Sequence, residues 1–153
     1  MKSALIAAWR ETLQTRLDTL TRTANEARSA TRVDGTHRPA NRGERAAVTS
    51  AGYLAQGLGQ RASELAEALR LLDEMGDEPR DRVVVGALVE LEDQWLAVFP
   101  GGDATRLTVD GTEVLVLSAR APMAQVLLGL EEGDEARLAL PGGQRQLVIC
   151  SVG

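Results

Sequence analysis

Aromatic side chains make up only 3% of this 153-residue chain. That scarcity argues against an aromatic-rich β-sandwich, and the abundance of alanine, leucine and arginine leans toward helix. There is one cysteine, Cys150, so no intramolecular disulfide can form. A reducing, cytoplasmic setting is the simplest expectation. Its place in the run Leu147-Val148-Ile149-Cys150 predicts a buried small hydrophobe, not a reactive thiol. No apolar run approaches the ~20 residues needed to cross a bilayer. Met1-Lys2-Ser3-Ala4-Leu5 opens no long apolar segment, so neither a signal peptide nor a membrane partner is expected. The one histidine, His37, makes no metal site alone; beside Arg38 and Pro39 it is expected in an exposed loop.

What is present is ordinary for a globular protein: 44% hydrophobic and 25% charged residues. The length suits one domain or two small ones. The net charge of −5 conceals an asymmetry. Residues 1–79 carry 11 basic and 11 acidic side chains, whereas residues 80–153 carry 6 and 11. Within residues 22–45, six arginines face Glu26, Asp34 and Glu44, a local +3 inside an acidic protein.

The two halves differ in period. Ile6, Trp9, Leu13, Leu17, Leu20, Ala24 and Ala27 step by three or four, and so do Ala51, Leu54, Leu58, Ala62, Leu65, Ala68, Leu72 and Met75. Each stripe is narrow, which predicts the seam of two helices packed on one another. Gly35 and Pro39 break the helix between them. At ~1.5 Å per residue, helices of roughly 30 residues give a hairpin ~45 Å long. Residues 1–76 are therefore expected as a coiled-coil hairpin with its tip near residues 33–43, and residues 77–81, around Gly76 and Pro79, as a linker.

Residues 82–153 read as strands. Residues 82–91 and 95–99 are buried runs. Residues 106–109 and 114–117 flank Asp110-Gly111, a strong hairpin signal. Residues 122–128 predict a short helix with proline in its first turn and Gly129 at its end. Residues 136–140 and 144–150 flank Pro141-Gly142-Gly143. The fold class is α+β: a helical hairpin followed by a small antiparallel sheet crossed by one helix.

The stretch Ser118-Ala119-Arg120-Ala121-Pro122-Met123-Ala124-Gln125-Val126-Leu127-Leu128-Gly129-Leu130-Glu131-Glu132-Gly133-Asp134 resembles the signature of the Gre transcription factors. The Pro141-Gly142-Gly143 turn followed by Arg145, and the order of parts, a coiled-coil hairpin and then an FKBP-like sheet domain, are similar as well. The resemblance implies a bacterial accessory factor, not an enzyme, that binds RNA polymerase at its secondary channel and modulates elongation. It implies that the C-terminal domain docks on the channel rim, with Ser118, Arg120, Pro122 and Met123 as docking residues. It also implies that the tip approaches the active site, where acidic side chains help position a magnesium ion shared with the polymerase for cleavage of backtracked RNA. No cofactor of the protein's own is implied. Nascent RNA is an implied partner at its 3′ end, DNA only through the polymerase, and the protein is expected to be a monomer.

Carboxylates are the hard ligands that two-metal cleavage requires, and the tip region offers Asp34 and Glu44. The family pattern places an aspartate and a glutamate close together, with asparagine directly after the glutamate. Here Asn41 fits that asparagine, but Ala40 precedes it. Two roles are open for Glu44. Asn41-Arg42-Gly43-Glu44 has capping-box spacing, so Glu44 can serve the second helix as well as a metal. Asp34, before Gly35, is open between turn residue and ligand. Arg28, Arg32, Arg38, Arg42 and Arg45 form either a solvated face or, with Asn41, a collar for RNA phosphates or acidic channel groups. No aromatic is interleaved near the tip, so base stacking is not expected.

Three alternatives stand beside cleavage stimulation. The protein can occupy the channel as a non-cleaving regulator of initiation or pausing, which Ala40 favours. It can be an FKBP-like isomerase or chaperone, although its sheet half offers only Trp95 and Phe99 for a proline pocket. It can also be a self-associating coiled coil.

Overall fold

The computed structural model describes residues 1–31 and 42–153, with backbone alone at residues 30, 31, 44, 47–51 and 55. Two long helices come first, α1 (Lys2–Thr31) and α2 (Arg42–Met75). Residues 2–31 contain neither glycine nor proline, which leaves α1 uninterrupted. α2 stops where Gly76 takes φ +69°, a left-handed cap that side-chain-bearing residues avoid. The helical spacing holds in burial: Ile6, Trp9, Leu13, Ala24, Ala68 and Leu72 are buried. Leu17, Leu20, Leu58, Ala62 and Leu65 are half-buried. Leu54 departs from the expected stripe and is 56% exposed.

A six-stranded sheet follows: β1 (Leu88–Leu91), β2 (Trp95–Val98), β3 (Asp103–Val109), β4 (Thr112–Leu117), β5 (Glu135–Leu140) and β6 (Gly143–Val152), with the short helix α3 (Pro122–Leu127) after β4. The strand order is β3-β4-β2-β1-β6-β5. The fold is α+β, as the two periodicities predict. The sheet is not wholly antiparallel, however, because β2 and β4 run parallel. β3 supplies the crossover: it hairpins onto β4 through Asp110 (φ 51°) and Gly111 (φ 77°), the turn that the Asp-Gly pair predicts. This returns the chain beside β2 in the same direction. β4 is buried along Val114, Leu115, Val116 and Leu117, as a central strand covered on both faces should be.

One face of the sheet packs beneath α3. Ala124 and Leu127 are fully buried there with Val89, Leu96, Val98, Leu138, Leu147 and Ile149. Residues 1–12 and 68–153 form one compact unit, and residues 13–67 form another. In the first unit, Ser3 Oγ donates to Asp77 Oδ2 at 2.5 Å and Arg10 Nε to Asp73 Oδ1 at 2.8 Å, so the paired helix ends run antiparallel.

Two sequence expectations are corrected. Residues 82–91 do not form one strand; only Leu88–Leu91 does. Val83 is instead tied to the chain after α3, its amide donating to Leu130 O at 2.8 Å and its carbonyl accepting from Gly129 N at 2.7 Å. Gly86 then turns the backbone at φ +96°, and Val85 is 45% exposed. Cys150 is exposed, not buried. Strand alternation decides this: Leu147 and Ile149 face the core, so Val148 and Cys150 point the other way.

Candidate functional site

Residues 118–134 are built by the ends of β4 and β5 with α3 between them. Beyond Leu117 the chain turns, and Ser118 O accepts the amide of Ala121 at 3.1 Å. Ala121 is extended (φ −61°, ψ 139°), which the following proline favours, and Pro122 opens α3 where no amide is needed. The Gln125 side chain folds back and donates to Ala119 O. Gly129 leaves the helix at φ +85°. Glu131 N donates to Asp134 Oδ2 at 2.8 Å, and Gly133 N to Ile149 O at 2.8 Å, which fixes the entry into β5.

Because Ala124 and Leu127 point into the core, α3 turns its other side outward. Ser118 and Met123 are half-buried, and Arg120 and Pro122 are exposed. Met123 Sδ accepts a hydrogen bond from Gln94 Nε2 at 3.5 Å, linking α3 to the β1–β2 turn. The sequence-predicted Ser118, Arg120, Pro122 and Met123 therefore share one surface segment. It presents a guanidinium and a rigid ring, with the Met123 thioether half-buried against the core beside them, groups that suit a protein partner better than a small substrate.

The sequence-predicted tip residues are placed unevenly. Arg28 is exposed in the last turn of α1, with Nη2 3.0 Å from where a Cβ on Gly59 would stand. Arg42 and Arg45 are exposed in the first turn of α2. That helix begins one residue after Asn41. Arg32, Asp34, Arg38 and Asn41 lie outside the described residues, as does the side chain of Glu44. Among the described residues, no group of three or more His, Cys, Asp or Glu side chains could hold a metal ion. No helix among them is long and apolar enough to cross a membrane.

The remaining chemistry-bearing groups sit apart from that segment. Although Cys150 is exposed, its thiol is pushed above the ordinary value, first by the partial desolvation of the strand around it and then by the carboxylates of Glu90, Glu92 and Glu132. A thiol in that state is a poor nucleophile at neutral pH. Phe99 is buried at 1% exposure, and Trp95 is half-buried. Of the two aromatics of the sheet half, therefore, only Trp95 offers any surface to a proline.

Sequence reasoning missed three features. Trp9 Nε1 donates to Pro100 O at 2.9 Å. Lys2, the single lysine of the sequence, donates from Nζ to Glu78 O at 2.5 Å and Gly153 O at 3.2 Å. Gly102 abuts β4 so closely that a Cβ would lie 2.1 Å from the carbonyl carbon of Leu117. Only Trp9 carried a signal, as a large ring in an aromatic-poor chain. Its partner lies 91 residues away, beyond the reach of periodicity.

No protein-family model matches the chain. Curated relatives do. The chain is 30% identical over 112 residues to the transcription elongation factor GreA of Methylococcus capsulatus, covering 70% of this chain and 67% of that protein. It is 38% identical over 77 residues to GreA of Nitratidesulfovibrio vulgaris, covering 47% of this chain and 45% of that protein. Among solved structures, Gfh1 of Thermus aquaticus is 18% identical and covers 93% of this chain and 92% of that one, with a TM-score of 0.39. On the first of these relationships, the chain belongs to the Gre-type transcription elongation factor family.

Proposed function

We propose that this protein is an accessory factor that docks on RNA polymerase and modulates elongation. The surface of residues 118–123 holds it on the rim of the secondary channel, and the segment between α1 and α2 enters toward the active site. The observation that carries this reading is the 30% identity with GreA over 112 residues. The ordered segment from Ser118 to Asp134 supports it, since its proline, glycines and buried Leu127 hold Arg120, Pro122 and Met123 at the surface. The arginines on either side of the segment between α1 and α2 support a role toward RNA phosphates or acidic channel groups. In this reading the protein acts in the cytoplasm, as a monomer, and any magnesium belongs to the polymerase site.

Ala40 favours a second reading. It stands directly before Asn41, where the family pattern has a glutamate, so the chain can occupy the channel without promoting cleavage. One experiment tests both. Purified protein is added to a stalled, backtracked elongation complex and RNA length is followed with magnesium present. Shortening of the RNA supports cleavage stimulation. Binding without shortening supports the non-cleaving regulator. Absence of binding rejects both.

A further inference from the structure

We propose that residues 100–105, the β2–β3 turn together with the first residues of β3, form one docking surface with residues 118–123, and that Asp103 contacts a cationic side chain of RNA polymerase there. This rests on the docking reading above and extends it to a part of the chain that carries no family signature.

Four observations converge on the turn. Gly102 lies against the first residues of the docking segment, where a Cβ would stand 2.1 Å from Leu117 C and 2.4 Å from Ser118 N. The turn and the segment are therefore in backbone contact, and a partner seated on one meets the other. Ala104 takes φ +68°, a left-handed conformation that costs an alanine energy and persists only where its surroundings impose it. The register of β3 on β4 slips at this point, between Asp103 and Thr105, so the turn carries a β-bulge on an edge strand. Bulges of this kind re-aim side chains at rims and sites.

The fourth observation concerns the group thus aimed. Asp103 is exposed, and its Oδ1 accepts from Thr105 Oγ1 at 2.6 Å and Thr105 N at 3.2 Å. Its carboxylate is thus held in one orientation before a partner arrives, which lowers the entropy lost on binding. Residues 80–153 carry 6 basic and 11 acidic side chains, so this half of the chain as a whole favours a cationic partner, although residues 100–105 and 118–123 between them hold the one acid Asp103 and the one base Arg120.

The test measures the affinity of the full-length protein for core RNA polymerase at several salt concentrations. Asp103→Arg is expected to weaken binding about fivefold or more, the loss corresponding to a single rim charge contact, and to flatten the salt dependence. Glu135→Arg, on the opposite edge strand β5, changes net charge equally and should leave affinity near wild type. Equal weakening by both variants would overturn the proposal, because net charge alone would then account for the effect. Undiminished binding by Asp103→Arg would overturn it too. Should that variant melt early, Asp103→Asn, which keeps an acceptor for Thr105, decides in its place by the same criteria. Wild-type protein that fails to bind overturns the docking reading itself, a result distinct from either failure of the turn.

Discussion

The indole Nε1 of Trp9, in the third turn of α1, donates a 2.9 Å hydrogen bond to the carbonyl oxygen of Pro100, in the turn after β2. Trp9 is fully buried, the largest side chain to be so among the described residues. The bond joins the N-terminal helix to the sheet within a single compact unit, so residues 82–153 do not have all their packing partners to themselves. Trp9→Phe keeps much of the ring volume but leaves the Pro100 carbonyl without this donor. It should cost about 1–3 kcal/mol. Trp9→Ala should cost more, about 3–5 kcal/mol. A fragment beginning at residue 80 should melt below the full chain for the same reason. Thermal melts of the three proteins test this, and overlay of the Trp9→Ala curve on wild type would refute it.

Glycines in this chain differ in what they permit. A methyl at Gly102 would overlap the backbone of Leu117 and Ser118, neither of which can yield as a flexible side chain can. Gly102→Ala should therefore destabilise by about 3 kcal/mol or more, at or beyond the upper end for overpacking. Gly142, in the β5–β6 turn, has nothing within 4 Å of its would-be Cβ. Gly142→Ala should stay within about 0.5 kcal/mol of wild type. Denaturant unfolding of both variants separates the two cases, and equal midpoints would reject the steric account.

Lys2 makes the fold sensitive to alkaline pH. Burial is the main cause that holds its ammonium below the ordinary value of 10.5, and the nearby Arg80 adds to it, while Asp77 and Glu78 oppose. A lowered folded-state value means that the unfolded chain holds the proton more tightly. Stability should accordingly rise with pH between the folded value and 10.5, and level off above it. As the single lysine, Lys2 gives one side-chain amine resonance to follow. That resonance should titrate below 10.5 in the folded protein, and Lys2→Gln should remove the alkaline rise in melting temperature. Titration at or above 10.5 would contradict the assignment.

The proposed tip chemistry separates by substitution. If the protein stimulates cleavage, Asp34→Asn and Glu44→Gln should each sharply lower magnesium-dependent RNA shortening and leave polymerase binding intact. Glutamine still fills the capping position, so Glu44→Gln should preserve the helix start. If it is a non-cleaving regulator, those changes should do little, and Arg38→Ala with Arg42→Ala should weaken its effect on transcription. The arginine pair should also reduce the salt sensitivity of binding. We expect the second outcome, since residues 22–45 carry six arginines against three acids and Ala40 stands where an acid would serve. Efficient RNA shortening by the wild type that is abolished by Asp34→Asn would reverse that expectation.

Local order was written in the sequence. The steps of three and four from Ile6 to Ala27 made α1, and Gly76 ended α2 because a left-handed cap needs no more than a local glycine. Asp110-Gly111 set the β3–β4 hairpin, and Pro122 and Gly129 bounded α3, so the segment bearing Ser118, Arg120, Pro122 and Met123 was legible in the sequence alone. Tertiary structure decided what depends on residues distant in the chain. The parallel pairing of β2 with β4, the docking of Trp9 on Pro100 and the contact of Gly102 with Leu117 each join residues that no periodicity links. The run from Arg82 to Leu91 is apolar enough for a strand throughout, yet its first half was claimed by Gly129 and Leu130 through backbone hydrogen bonds. Cys150 belonged to an apolar run, but which face it met depended on the register that put Ile149 inward. Sequence patterns fix the period of an element, whereas its partners, its register and the face it buries are set by the free energy of the whole packed arrangement.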